Sequence, residues 1–270
     1  MSADDTSADL PVRYDVTGRV ATITINRPAA MNSLDTATKQ ALLAAVRRAA
    51  DEQTVRCVVI TGSGRAFCVG QDLREHARNI EEQSAQEVWS TVTDHYSPIA
   101  LTIATMDKPV IAAVNGVAAG AGMSIAMVCD LRVAADTATF NTAFTAIGLS
   151  CDTGSSWTLP RLVGTTKAIE LLLEPRSVDA TEALALGLVT TVVPSAELAH
   201  QVAQLAARLA AGPTLAYAAV KQSVAFAATH PLEDALGFEG RMMARTGDST
   251  DHRKAVKSFV AKVHPTFEGV

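Results

Sequence analysis

Apolar and polar positions alternate with a period of two over VRYDV (residues 12–16) and VATITIN (20–26), with a Thr-Gly pair between them. This pattern predicts two short strands joined by a turn. The period then lengthens. Asp35 precedes TATKQALLAAVRRAA, where leucine and valine recur at helical spacing, so a helix capped by Asp35 is expected. VRCVVITG (55–62) reads as a buried strand ending in glycine, and a polar helical segment over 84–106 leads to a second buried strand, KPVIAAVNG, that again ends in glycine. AAGAGMSIAMVCD then starts a helix, and LRVAAD (131–136) reads as a third buried strand. Continuous apolar strands alternating with helices predict a parallel α/β sheet covered on both faces. From Ser195 onward four helical segments follow with no strand between them, with Pro213 and Pro231 where helices start and Gly212 and Gly247 where they stop. The chain thus divides into an N-terminal tail (1–11), an α/β core (12–194) and a helical region (195–270).

Of the 270 residues, 48% are hydrophobic, 19% charged and 4% aromatic, enough apolar material for one large core. The net charge of −5 and the dispersed basic residues give no reason to expect a nucleic-acid partner. No apolar run approaches the ~20 residues that span a bilayer, so no membrane partner is expected. MSADDTSADL is acidic and polar, which predicts a disordered tail rather than a secretory signal. Cys57, Cys68, Cys129 and Cys151 form no CxxC pair and sit in apolar or glycine-rich surroundings. They read as reduced thiols of a cytoplasmic protein. The six histidines show neither HxxxH nor HExxH spacing, so no metal site is expected.

Two stretches carry the chemistry. GSGRAFCVGQDLRE (62–75) and NGVAAGAGMSIAMVCD (115–130) each follow a buried strand and precede a helix, which aims successive backbone N–H groups at one place. Three readings fit: a dinucleotide phosphate site, tight strand–helix packing, or a pocket for a transient oxyanion. Against the first, the GxGxxG register and GxxxxGK[ST] are both absent. Farther on, Asp152 is the one formal charge between Asp136 and Arg161. It is either kept for chemistry or caps a helix beginning at TGSSW.

NRPAAMNSLD, VVITGSGRAFCVGQDL, KPVIAAVNGVAAGAGMSIAMVCDLRVAAD, ATFNTAFTAIGLSCDTGSSWTLPRLVG and ATEALALGLVTTVVP together resemble the crotonase, or enoyl-CoA hydratase/isomerase, superfamily, from about residue 12 to the end. The resemblance implies a spiral of ββα units with a C-terminal helical trimerisation region, hence a homotrimer or dimer of trimers. It also implies an acyl-CoA thioester substrate, with coenzyme A arriving as part of that substrate and no separate cofactor. The thioester oxyanion would sit on the backbone N–H groups of Gln71 and of Ala121, which follows Gly120. Arg27 and Arg65 would approach the CoA phosphates, and the backbone near Ala66, Val69 and Leu73 would line the adenine pocket. Phe259 and Lys262 match a segment that reaches CoA, often from a neighbouring subunit.

Hydratases of this superfamily use two glutamates, and the matching positions here are Ser124 and Phe144. Neither can hold or activate water as a base does. The acid left in the expected pocket is Asp152, as in isomerases of the superfamily and in 4-chlorobenzoyl-CoA dehalogenases. The dehalogenases also carry a tryptophan at the place of Phe144 and a histidine near Ser97, whereas His95 would lie about 200° around a helix from Ser97. The reading is therefore an enoyl-CoA isomerase with Asp152 as base. A weakly active or inactive CoA-ester binder is the alternative, and a dehalogenase-like hydrolase stands behind both.

Overall fold

The structure, a computed structural model, describes residues 10–270; most of the expected tail, residues 1–9, lies outside the described residues. Strands β1 (Val12–Thr17) and β2 (Val20–Ile25) form the antiparallel hairpin, followed by helix α1 (Thr36–Asp51). Asp35 caps α1 as expected, its carboxylate accepting from the Thr38 N–H at 2.8 Å. A three-part unit then recurs, with a long buried strand, a short strand and a helix. It appears first as β3 (Cys57–Gly62), β4 (Ala66–Cys68) and α2 (Leu73–Glu82). Helices α3 (Ala85–Thr91) and α4 (Ser97–Thr105) follow, joined by a π turn over Val92–Tyr96. The unit recurs as β5 (Val110–Val114), β6 (Val117–Ala119) and α5 (Ala121–Val128), and again as β7 (Leu131–Ala135), β8 (Thr139–Asn141) and α6 (Ser155–Val163). Helix α7 (Thr165–Leu173), strand β9 (Val178–Asp179), helix α8 (Ala180–Ala185) and strand β10 (Thr191–Val193) complete the core.

The long strands form one six-stranded sheet in the order β1-β2-β3-β5-β7-β10, parallel throughout except for the β1–β2 hairpin. Ile23, Ile25, Ile60 and Ile111 are fully buried there, and each contributes about 1.5–3 kcal/mol of apolar burial. The short strands form a second sheet, β4-β6-β8-β9, which the sequence pattern did not reveal. Runs of two or three residues are too short to show a period.

Four helices close the chain as expected: α9 (Leu198–Ala211), α10 (Thr214–Ala227), α11 (Leu232–Gly247) and α12 (Thr250–Val260). Two cations, buried Arg56 and half-buried Lys221, tie them to the core. Arg56 donates to Thr214 Oγ1 at 2.7 Å and to the Phe267 carbonyl at 2.9 Å, and Lys221 pairs with Asp130 at 2.7 Å. Cys57, Cys68 and Cys129 are buried, and burial pushes each thiol up to about 12; Cys151 is half-buried. No helix among the described residues is long and apolar enough to cross a membrane.

Candidate active site

The two glycine-rich turns touch. Leu34 bridges Gln71 in parallel fashion, its N–H donating to the Gly70 carbonyl at 2.8 Å and its carbonyl accepting from the Asp72 N–H at 3.1 Å. In that arrangement the Gln71 N–H points to the opposite side, where no acceptor among the described residues takes it. Ala121 is the first residue of α5, so its N–H has no intrahelical acceptor either. Gly70 adopts a φ of +84°, and a Cβ on it would stand 2.9 Å from the Ala119 carbonyl and 3.1 Å from the Ala121 nitrogen. Only glycine lets the turns approach this closely. A Cβ on Gly122 would fall 2.1 Å from the Cys68 carbonyl, so that glycine serves the packing of α5 on β4. Packing and donor placement therefore coexist in the same turns.

Gln71, Gly120, Ala121 and Asp152 line one cavity of about 790 Å³. Val69, Leu73, Phe144 and Arg27 belong to the same wall. Arg65, Ala66, Phe259 and Lys262 do not reach it within this chain. Ala66 is buried, its carbonyl already accepting from Asn32 Nδ2 at 2.7 Å and Asn115 Nδ2 at 3.1 Å. Arg65 is exposed, Phe259 is 84% exposed on α12, and Lys262 follows that helix in the left-handed region at φ 57°. Arg27 is not a free cation: its guanidinium pairs with Asp35 and Asp72, each at 3.0 Å.

Asp152 does not cap α6. The backbone turns through two left-handed residues, Thr153 (φ 53°) and Gly154 (φ 82°), and the cap residue is Gly154, with no side-chain hydrogen bond to the helix. The carboxylate instead accepts from Thr153 Oγ1 at 2.6 Å. Burial pushes the Asp152 carboxyl above the usual carboxylate range, while the Thr153 hydrogen bond and the positive charge of Lys39 pull it back. A left-handed threonine is a strained conformation, the kind that persists where a side chain must be held in place.

Asp152 is not the sole acid of the cavity, because Asp35, Asp72 and Glu75 also line it. Each is committed to the fold. Asp35 caps α1 and pairs with Arg27, and Glu75 accepts from the Thr36 N–H at 2.9 Å. Asp72 caps α2 and holds Arg27; burial works to raise its pKa, but hydrogen bonds from the Glu75 N–H, Arg27 and Ser33 hold it below the usual range. Asp152 alone of the four is tied to neither a helix N-terminus nor a guanidinium.

At the place of the first hydratase glutamate, Ser124 is buried and bonds the Gly120 carbonyl at 3.0 Å and Ser155 Oγ at 2.5 Å. At the place of the second, Phe144 presents a ring to the cavity. The π turn overturns the assumption of a regular helix at His95. His95 Nδ1 lies 3.3 Å from Thr91 Oγ1, off the cavity wall, and Tyr96 takes the wall instead.

Two neighbours of Gln71 are not evident from the sequence pattern. Lys39 is 2% exposed, donating to Thr91 Oγ1 at 2.7 Å and to Gln71 Oε1 at 3.3 Å. Tyr96 donates to the same Gln71 oxygen at 2.5 Å. Burial pushes the Lys39 ammonium below its usual range, and Glu75, Asp35, Asp152 and Asp72 draw it back up. A signal was present: Lys39, Leu42 and Val46 fall on one helical stripe, so a lysine stands among core positions.

The family model "Enoyl-CoA hydratase/isomerase" matches residues 15–270. A 1,2-epoxyphenylacetyl-CoA isomerase of Escherichia coli is 38% identical over 93% of this chain and 95% of its own. A 4-chlorobenzoyl coenzyme A dehalogenase of an Arthrobacter species is 34% identical over 86% of this chain and 84% of its own. The solved structure of an enoyl-CoA hydratase from Bacillus anthracis superimposes with a TM-score of 0.90 at 29% identity, covering 96% of this chain and all (100%) of that one. Those three names span isomerisation, dehalogenation and hydration, all on CoA thioesters. With its repeated strand–strand–helix units and touching glycine turns, the chain belongs to the enoyl-CoA hydratase/isomerase family.

Proposed function

We propose that the protein is an acyl-CoA isomerase that moves a proton between carbons of an enoyl thioester, with Asp152 as the base. The observation that carries this reading is one half-buried carboxylate, tied to neither a helix N-terminus nor a guanidinium, sharing a single cavity with two backbone N–H groups that have no acceptor among the described residues. In a 3-enoyl thioester, the Asp152 carboxylate takes a proton from C2. The electron pair delocalises to the thioester oxygen, which becomes the oxyanion of a dienolate held by the Gln71 and Ala121 N–H groups. Two such donors in a dry site lower the barrier by about 3 kcal/mol each. The protonated Asp152 then delivers its proton to C4, leaving the 2-enoyl thioester and a regenerated carboxylate. Desolvation suits Asp152 to both steps, because a base whose pKa is raised takes a carbon-bound proton more readily. Water addition would need a second group to orient the water, and Ser124 is closed on Ser155.

The same reading makes the helical region the contact between copies in a trimer or a dimer of trimers. Its support is the apolar surface that α10–α12 leave exposed, including Val224 (67%), Met243 (72%) and Phe259 (84%). The test of the chemistry is incubation of trans-3-hexenoyl-CoA in D2O. The wild type is expected to wash deuterium into C2 and C4 and to form the 2-enoyl isomer, and Asp152→Asn to abolish both while keeping the thioester affinity. A wild type that binds the thioester with no exchange would make the protein a CoA-ester binder.

A further inference from the structure

The Gln71 carboxamide has two ends that differ chemically and hardly differ in shape, so its orientation is set by its partners. Tyr96 cannot set it, since a phenol both donates and accepts. Lys39 can: an ammonium only donates, so the atom facing it has to be the amide oxygen. With Tyr96 at 2.5 Å and Lys39 at 3.3 Å on that oxygen, both of its lone pairs are taken. The NH2 end has no hydrogen-bond partner among the described residues, is not sealed from solvent, and belongs to a residue that lines the cavity. Tyr96 and Asp152 line the same cavity, and Tyr96 and Lys39 both lie close enough to Asp152 to feel its charge. The arrangement is built rather than incidental. Lys39 is buried under the site, a second hydrogen bond anchors it to Thr91, and its Nζ lies 5.5 Å from the centre of the Tyr96 ring.

We propose that Lys39 is a positioning residue that locks the Gln71 side-chain NH2 into the acyl cavity, and that this donor selects acyl groups carrying an oxygen acceptor near the reacting carbons over plain hydrocarbon chains. The proposal rests on the reading that the cavity holds an acyl thioester. An NH2 covered by hydrocarbon loses its water and gains nothing, whereas an ether, epoxide or carbonyl oxygen restores the hydrogen bond.

The experiment is calorimetric titration of the full chain with two inert probes that differ by one atom. Butyryl-CoA and methoxyacetyl-CoA have the same shape, with CH2 in one and an ether oxygen in the other at the third position of the acyl chain. The wild type is expected to bind methoxyacetyl-CoA about tenfold more tightly, a difference of about 1.4 kcal/mol. Lys39→Met and Gln71→Leu are each expected to erase or reverse that preference, because an apolar wall favours the CH2. Tyr96→Phe leaves the Lys39 donor in place and is expected to retain it, which keeps the test open if Lys39→Met fails to fold. A wild-type ratio near one, or a preference that survives in Gln71→Leu, overturns the proposal. A Gln71→Leu protein that keeps the preference while its pH–rate profile moves would place the NH2 on Asp152 instead, and also overturns it. Failure of both thioesters to bind the wild type would remove the thioester site itself, an outcome distinct from a lost preference.

Discussion

Ser124 and Ser155 share a hydrogen bond of 2.5 Å, sealed from solvent, where the hydratases of the resemblance hold a glutamate. The position is occupied rather than vacant. Ser124→Glu is therefore expected to place a charge in a space already filled and to lower the unfolding free energy by about 2–4 kcal/mol. Ser155→Gly in the same chain should recover part of the loss. Urea unfolding of the single and double variants checks this. Ser124→Glu with Phe144→Glu is accordingly expected to gain little hydration of crotonyl-CoA without that relief.

With Asp152 as the proposed base, the acid limb of the pH–rate profile is expected to report on it. The base acts only when ionised, and burial raises its pKa, so kcat/KM should rise with pH through a midpoint above the ordinary aspartate value of about 3.9. Lys39 opposes that shift. Removing its charge in Lys39→Met should move the acid limb to higher pH. A limb that moves lower, or not at all, contradicts the assigned coupling.

Ala121→Pro deletes one of the two facing N–H groups at a position where proline suits a helix start. Turnover is expected to fall by two to three orders of magnitude in a protein that still melts cooperatively. Gly70→Ala should reach a similar loss by another route, since its Cβ would press on the backbone at Ala119 and Ala121. Steady-state kinetics with a 3-enoyl thioester, alongside thermal melts, distinguishes lost chemistry from lost fold.

Light scattering at micromolar concentration is expected to give the mass of three or six copies. Phe259→Asp, placing a charge on a side chain 84% exposed in the single chain, should shift the population toward smaller species. A monomeric wild type would end the assembly reading.

The sequence disclosed those parts of the fold whose patterns are long. The three buried strands, the Asp35 cap and the four closing helices all stand as expected. The second sheet was hidden because its strands have two or three residues. The acids at 35, 72 and 75 could not be placed in the cavity from sequence, since their partners Arg27 and Thr36 reach them only through the fold. Asp152 was legible as an isolated charge, yet its proposed cap was wrong: two left-handed residues intervene between it and α6. Lys39 was visible on an apolar stripe, but its meaning depends on Gln71 and Tyr96, which lie 32 and 57 positions away in the chain.

The burial of three of the four thiols has a practical consequence. Cys57, Cys68 and Cys129 are shielded and their thiolate forms are suppressed, while Cys151 is half-buried and adjoins Asp152. A maleimide fluorophore used in slight excess should therefore label the native protein at Cys151 without mutagenesis. Its emission would report the arrival of each ligand beside Asp152.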